Sequence, residues 1–534
     1  MSTRLDIVII GAGFSGMYAV HRLRKDYSLV CLEAGAGVGG TWYWNRYPGA
    51  RVDIESMEYS YGFDEALQQE WHWTEHFAAQ PELERYANHV ADRFGLREHI
   101  RLSTRVPRMH FDAASDEWQV FTDGGEEFRC RYVIAATGSL TIPHEPQWPG
   151  RESFTGRVLH TTQWPREGVD FRGKRVGLVG TGSTGVQAAP VIARDAQKLV
   201  VFQRTPAFSM PSSNRPLDPA FERDWKAHYA ERRRQMLQTP GVSFIRYPEM
   251  SALACSPEER ERILEEAWRS RSAFQLLVAF NDVLTDLRAN ELVSDFARRK
   301  IRSIVKDPVV AERLCPVDYP IGGKRLCIDN GYFEMYNRPN VELVDIRAEP
   351  IRAFTPKGLL VGEREHALDI LVMATGFDAV TGAMTRIDIE GLDGVRLKDK
   401  WRGGPTTWLG SMVAGFPNLF MIHGPQTPCA QAQMITSGEW QVDWTARILD
   451  DMRREGFTRI ATDEAAEHRW AEEVANVSQM TVHRHAKSWY TGSNTGDKAE
   501  VFMIYVGGFV RFAELCNGAV EQGYTGFTRS SAAA

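Results

Sequence analysis

Two glycine-rich turns, set far apart in the chain, constrain its fold more than any other feature. Gly11, Gly13 and Gly16 form one G-x-G-x-x-G, and Gly180, Gly182 and Gly185 form another. With Gly at 45 of 534 positions, chance yields about 0.3 such matches, so the spacing alone says little. The context says more. "LDIVIIGAG" and "KRVGLVGTG" each place an apolar run of the kind buried in parallel sheets directly before the glycines, and residues with helical spacing follow. A second apolar run closes each unit, "YSLVCLEA" ending at Glu33 and "KLVVFQRT" ending near Thr205. Strand, glycine turn, helix and strand, twice over, predict an α/β chain with two Rossmann-like dinucleotide-binding domains. In each, a pyrophosphate would rest on the positive helix N-terminus.

The strand ends separate the two ligands. A carboxylate at Glu33 suits free ribose hydroxyls and repels a 2′-phosphate, whereas Arg204 and Thr205 at the equivalent place suit that phosphate. The first module is therefore expected to hold FAD and the second NADPH. "RYVIAATGS" (131–139) and "LDILVMATGFD" (368–378) repeat a strand running into an Ala-Thr-Gly turn, each closing one sheet. Between Asp218 and Pro316 the texture changes to charged helix formers, with Asp218-Pro219, Ser256-Pro257 and Asp307-Pro308 as helix starts. The expected division is an FAD domain from 1–140 and 381–534, an NADPH domain from 150–212 and 325–380, and a helical insertion at 213–324. Within 382–527 one clear helix is expected near Ser437 to Glu455, and the "SSAAA" end is expected to be disordered.

Composition narrows the partners. Lys+Arg 63 against Asp+Glu 69 leaves a net charge of -6, so no positive field exists to hold nucleic acid or an anionic membrane. No apolar run approaches the roughly 18 residues of a membrane-spanning helix. Seven cysteines are scattered without a C-x-x-C pair or zinc-like spacing, which predicts a reducing cytoplasm, no metal, and no disulfide reductase despite the two modules. A small-molecule substrate and a monomer or weak homo-oligomer are expected.

"FTGRVLHTTQWP" supplies Phe154, Gly156, His160, Trp164 and Pro165 just before the second module. Its expected chance count is on the order of 0.002. F-x-G-x-x-x-H-x-x-x-W resembles the fingerprint of type I Baeyer–Villiger monooxygenases, and Trp164 is the position where related flavin monooxygenases carry another aromatic. "GGTWYWNRYPGARVD" (39–53), "GGKRLCIDNGYFEMYNR" (322–338), "ATGFD" and "SWYTGSN" (488–494) are similar to further landmarks of that family, so the resemblance covers nearly the whole chain. The "KRLCIDNGYFEMYNR" stretch resembles the phenylacetone and steroid branch.

The resemblance implies an NADPH- and FAD-dependent enzyme that inserts one oxygen atom of O2 beside a ketone carbonyl through a C4a-peroxyflavin, giving an ester or lactone. It assigns Arg325 as the catalytic cation and Asp53 as its orienting carboxylate. It places Gly11, Gly13, Phe14, Ser15, Gly16, Glu33, Gly40, Thr41, Trp42, Asp53, Tyr59, Val106 and Met434 on FAD. Arg51, Gly180, Thr181, Gly182, Ser183, Thr184, Gly185, Gln187, Arg204, Thr205, Lys324, Arg325 and Trp489 fall on NADP. Cys429, Ala430, Gln431, Ala432 and Met434 line the substrate pocket, and Gln431, Gln433 and Cys429 depart from the phenylacetone pattern. His160 is expected to serve a hinge rather than proton chemistry, and Cys429 to be a plain pocket residue. Two other readings are a heteroatom monooxygenase acting on amines or sulfides and a noncatalytic cofactor-binding regulator.

Overall fold

The computed structural model describes residues 2–270, 274–493 and 499–531. The first module opens with β1 (Thr3–Ile10), whose inner half is wholly buried, and the helix α1 (Phe14–Leu23). It continues with β2 (Leu29–Leu32), β3 (Ile100–Arg101), β4 (Arg108–Asp112), β5 (Glu117–Phe121) and β6 (Glu127–Ala135). The second module contains β7 (Arg157–His160), β8 (Arg175–Val179), the helix α2 (Ser183–Asp195), β9 (Lys198–Gln203), β10 (Val341–Asp345) and β11 (Ile370–Met373). The chain then returns to the first sheet with β12 (Asp388–Glu390) and β13 (Leu419–Met421).

The first sheet has eight strands in the order β12-β4-β5-β6-β1-β2-β3, with β13 on β6. Beside β1 on one edge, β6 has two partners on the other: Glu127 to Cys130 pair antiparallel with β5, while Val133 to Ala135 pair parallel with β13. The second sheet runs β10-β9-β8-β11-β7, all parallel. In each, the glycine turn and its helix join two adjacent parallel strands, β1 to β2 through α1 and β8 to β9 through α2, the arrangement that the two strand–glycine–helix units dictate.

The two Ala-Thr-Gly turns lie against the first glycine of each motif. A Cβ on Gly11 would stand 2.5 Å from the Ala136 carbonyl oxygen, and one on Gly180 would stand 2.2 Å from that of Ala374. The links that follow these turns run side by side. Asp378 N–H donates to Ile142 C=O, Val380 N–H to Ser139 C=O, and His144 N–H to Gly376 C=O, at 2.7–2.9 Å. Both crossings between the sheets therefore form one antiparallel strap.

Residues 213–324 do not share one core. Trp225 and, on α3 (Tyr229–Met236), Tyr229 and Met236 pack into the first module. Ala311 and Leu314 pack into the second, while Leu264, Trp268, Val293 and Phe296 build a further core that also takes in Phe77 of the first module and Phe208 of the second. Each predicted Asp/Ser-Pro start is an N-cap whose side chain accepts a backbone N–H: Asp218 from Ala220, Ser256 from Glu259, Asp307 from Val309.

Three features depart from expectation. The helix expected near Ser437 begins earlier, as α4 (Met434–Glu455), because the Gln433 side chain caps it by accepting Thr436 N–H. Two further long helices, Glu464–Gln479 and Phe509–Glu521, occupy the glycine- and tryptophan-rich segment. Their apolar residues, such as Trp470 and Phe512, are buried in the first module, so tertiary packing overrides the interrupted pattern. At the C-terminus Ser530 is not disordered but ends a strand, Phe527–Ser530, paired with Arg459–Thr462; residues 532–534 lie outside the described residues. Among the described residues no helix is long and apolar enough to cross a membrane.

Candidate active site

The first glycine turn leaves a cradle at the N-terminus of α1. Gly11 has φ +101°, and a Cβ on Gly16 would lie 1.8 Å from the Gly11 carbonyl, so both positions require glycine. Gly13 is the N-cap, with no side chain capping the helix, and a Cβ there would meet only the Gly40 backbone, 3.6 Å from its Cα. Phe14 and Ser15 open the helix, the Tyr61 hydroxyl donating to the Phe14 carbonyl at 2.6 Å. Glu33 is buried beneath this turn and accepts Ala12 N–H and Gly35 N–H, both at 2.7 Å. Burial raises its pKa against the lowering effect of those two bonds. Trp42 is buried and donates to the Tyr59 hydroxyl at 3.1 Å; Thr41 is exposed beside it, and Val106 is buried at the far edge.

The second turn repeats the device in more open form. A Cβ on Gly185 would strike the Gly180 carbonyl at 2.2 Å, whereas one on Gly182 would meet nothing within 4 Å. Ser183 and Thr184 follow at the uncapped N-terminus of α2, and the Thr181 hydroxyl donates to the Thr205 carbonyl at 2.8 Å. Arg204 is exposed just past β9. Burial, then the like charge of Arg204, lowers the pKa of Lys324, so the two cations adjoin at this strand end. An anion between them would relieve that repulsion.

Where the modules meet stands an ion pair. The Arg325 guanidinium donates to Asp53 Oδ2 from Nε at 3.0 Å and from Nη2 at 2.8 Å, and from Nη1 to the Ala430 carbonyl. Both side chains remain about a quarter exposed, at 23% and 26%, so a ligand can reach them. Burial would lower the pKa of Arg325, but Asp53 and its hydrogen bonds outweigh this and raise it. The Phe274 ring covers the guanidinium, its centroid 4.4 Å from Cζ, and the buried Tyr490 phenol lies beside it. Neither Phe274 nor Tyr490 was singled out by sequence reasoning, and no short spacing to Arg325 could have signalled them.

The remaining candidate residues gather around this pair. Ala430 adopts a left-handed turn at φ 61°, and its N–H donates to Met434 Sδ at 3.3 Å. Gln431 and Ala432 continue that turn back onto the Pro428 carbonyl. Cys429 is buried with Tyr490, Trp489 and Met434 in one apolar cluster, and burial pushes its thiol up to about 12, so it is no thiolate. Gln187 ties the modules together: it accepts from the Tyr47 hydroxyl at 2.9 Å and donates to the Arg51 carbonyl at 3.2 Å. The Arg51 guanidinium itself is engaged by Glu75 at 2.9 Å.

The fingerprint residues stand outside this centre. Phe154 lies over Gly156, where a Cβ would come within 2.4 Å of the ring, and Trp164 packs on Phe171 ahead of Pro165. His160 ends β7 beside Met373 of β11, buried, with Nδ1 2.7 Å from Thr162 Oγ1 and the His144 backbone next to it. It thus sits at the strap between the sheets, and burial lowers its pKa. Among the described residues no cluster of metal-ligating side chains occurs.

Two dinucleotide cradles facing one arginine–carboxylate pair define a flavin- and nicotinamide-dependent oxidoreductase, and comparison with known proteins gives the family. Residues 4–237 match the flavin-binding monooxygenase-like family. The chain is 40% identical to a Baeyer–Villiger monooxygenase of Pseudooceanicola batsensis, over 99% of this chain and 97% of that protein. It is 39% identical to the 2-oxo-Delta(3)-4,5,5-trimethylcyclopentenylacetyl-CoA monooxygenase of Pseudomonas putida, over 98% of each. Among solved structures, oxidized steroid monooxygenase bound to NADP superposes with a TM-score of 0.94 at 44% identity, covering 99% of this chain and 100% of that one. A closed cyclohexanone monooxygenase superposes at 0.96 and 38%, with the same coverage. The chain belongs to the flavin-binding monooxygenases of the Baeyer–Villiger type.

Proposed function

We propose that this enzyme converts a ketone, O2, NADPH and a proton into an ester or lactone, NADP+ and water, with Arg325 and Asp53 as the working pair. Bound FAD and NADPH supply the redox chemistry that activates oxygen. The first cradle, with Glu33 beneath it, fits a dinucleotide with a free ribose; the second, with Arg204, Thr205 and Lys324, fits one bearing a 2′-phosphate.

The carrying observation is the Asp53–Arg325 pair, partly exposed where the two modules meet. Oxygen insertion beside a carbonyl builds negative charge on oxygen, and a cation that cannot lose its proton stabilises that charge at any working pH. Asp53 and the Ala430 carbonyl fix the plane of the guanidinium while leaving N–H groups for a ligand oxygen. The apolar cluster of Cys429, Tyr490, Met434 and Trp489 keeps water from this place and offers an apolar wall to the ketone. His160, on the strap, controls how the sheets move rather than touching substrate.

The test is a panel of aliphatic, aryl, cyclic and steroid ketones given to purified enzyme with NADPH and isotopically heavy O2. The expected product is the ketone plus one labelled oxygen atom, formed faster with NADPH than NADH. NADPH oxidation yielding only hydrogen peroxide across the panel would overturn the reading. Because the chain is also 37% identical to a phenazine N-monooxygenase of Lysobacter antibioticus, over 98% of its length, amines and sulfides belong in the same panel. Heteroatom products exceeding esters would move the main activity to them.

A further inference from the structure

The inserted helices reach the active centre through one buried cation. Arg233 lies on α3, and its guanidinium donates to Thr436 Oγ1, to the Ser60 carbonyl and, at 2.8 Å, to Ser60 Oγ. Two buried carboxyls flank it. Glu439 Oε1 accepts Gly62 N–H at 2.8 Å, and Glu58 Oε2 accepts Phe244 N–H at 3.1 Å. Three segments thereby meet: the loop after Asp53, the insertion, and the first turn of α4.

That turn leads straight to Arg325. Gln433, which caps α4, donates to the Glu58 carbonyl at 2.6 Å, while its own N–H donates to the Gly241 carbonyl at 2.9 Å. Met434 follows, with Sδ taking the Ala430 N–H, and the Ala430 carbonyl takes Arg325 Nη1. A continuous path of bonds runs from Arg233 through Thr436 and Met434 to Ala430 and the guanidinium. We propose that Arg233 is a positioning residue: it fixes the 428–434 loop, and through that loop the orientation of Arg325 and the seat of the ketone. This rests on the role given to Arg325 above.

Thr436 can lose its hydroxyl while keeping its N–H bond to Gln433, so Thr436→Val removes the contact with little change in shape. Arg233→Met removes the cation, and the two buried acids left behind can take up protons and stay neutral. The holoenzymes are compared by amide hydrogen exchange and by turnover. In both variants the amides of residues 430–437 should exchange about tenfold faster, as expected for loss of a buried charge-assisted bond, while those of β1 and β6 stay unchanged. The KM for ketone should rise about tenfold, and the share of NADPH oxidation ending in ester should fall severalfold, with flavin reduction by NADPH unaffected. Arg233→Lys should recover part of both.

Wild-type exchange at 430–437 together with wild-type KM in Thr436→Val overturns the proposal, whether or not Arg233→Met folds. So does loss of ester yield in Arg233→Met that lysine fails to relieve while exchange at 430–437 stays normal. If the wild type itself makes no ester, the proposed activity fails, and the exchange data alone still decide whether Arg233 holds the loop.

Discussion

At the scale of single residues, the site depends on charges that neighbours hold in place. Arg325 loses no proton at working pH, and Asp53 both orients it and raises its pKa further. Arg325→Ala should therefore lower ester formation at least about a hundredfold, the cost of one preorganised electrostatic contact. FAD should remain bound, because the first cradle does not involve this residue; product analysis and flavin absorbance on one preparation check both. Lys324 makes a different prediction. It adjoins Arg204, and its Nζ lies over the Tyr319 ring, 4.6 Å from the centroid. Lys324→Ala should raise the KM for NADPH about tenfold or more, as for a lost phosphate contact, and leave that for NADH nearly unchanged. Equal losses with both nucleotides would remove Lys324 from the 2′-phosphate.

At the scale of elements, the two glycine turns separate backbone necessity from ligand space. Gly16 packs its α-carbon onto the Gly11 carbonyl, and a methyl placed 1.8 Å from that oxygen must push β1 and α1 apart. Gly182 has no neighbour within 4 Å of its Cβ position and an ordinary negative φ of -79°. Gly16→Ala should thus lower the melting temperature and the flavin content together. Gly182→Ala should still fold, losing only about 1 kcal/mol because alanine is a poorer N-cap than glycine, yet lose about tenfold or more in apparent NADPH affinity. Melting curves with and without NADPH distinguish the two. Equal thermal loss in both variants would show that the second turn is closed by protein rather than left for a pyrophosphate.

At the scale of the molecule, buried ionisable groups set how stability varies with pH. Burial, and then neighbouring Glu55, pushes Glu58 up to about 8; burial pushes Glu439 up to about 7, against Arg233. The folded protein thus keeps protons that the unfolded chain releases near pH 4.5, so these groups cost stability progressively as pH rises from about 5 to about 8. Burial also lowers His423 and His483 to about 4, so the folded protein refuses protons the unfolded chain accepts, and stability falls below about pH 6.5. The melting temperature should peak near about pH 6 and decline toward 8. Glu58→Gln should flatten the alkaline decline, and a slope identical to wild type between pH 6 and 8 would rule out Glu58 as its source.

Local spacing alone determined both glycine turns, the strand-end Glu33 and Arg204, and the Asp-Pro and Ser-Pro helix starts, because each is a bargain between residues close in sequence. Glycine needs no partner to signal a close approach, and an N-cap lies within a turn of what it caps. The helices at 464–479 and 509–521 were not legible in the same way, since the core they pack into comes from the other end of the chain. Arg325, its partner Asp53 and the pocket residue Ala430 were legible only through a resemblance, and Phe274 and Tyr490 beside them were not legible at all. Asp53, Phe274, Ala430 and Tyr490 come from four separate stretches, brought together only by the tertiary fold. Arg233 belongs with them: an arginine-rich helix looks solvated in sequence, and only the meeting of α3 with α4 buries one of its charges. A side chain's immediate geometry is written in its neighbours along the chain, whereas its charge environment depends on what the fold lays against it.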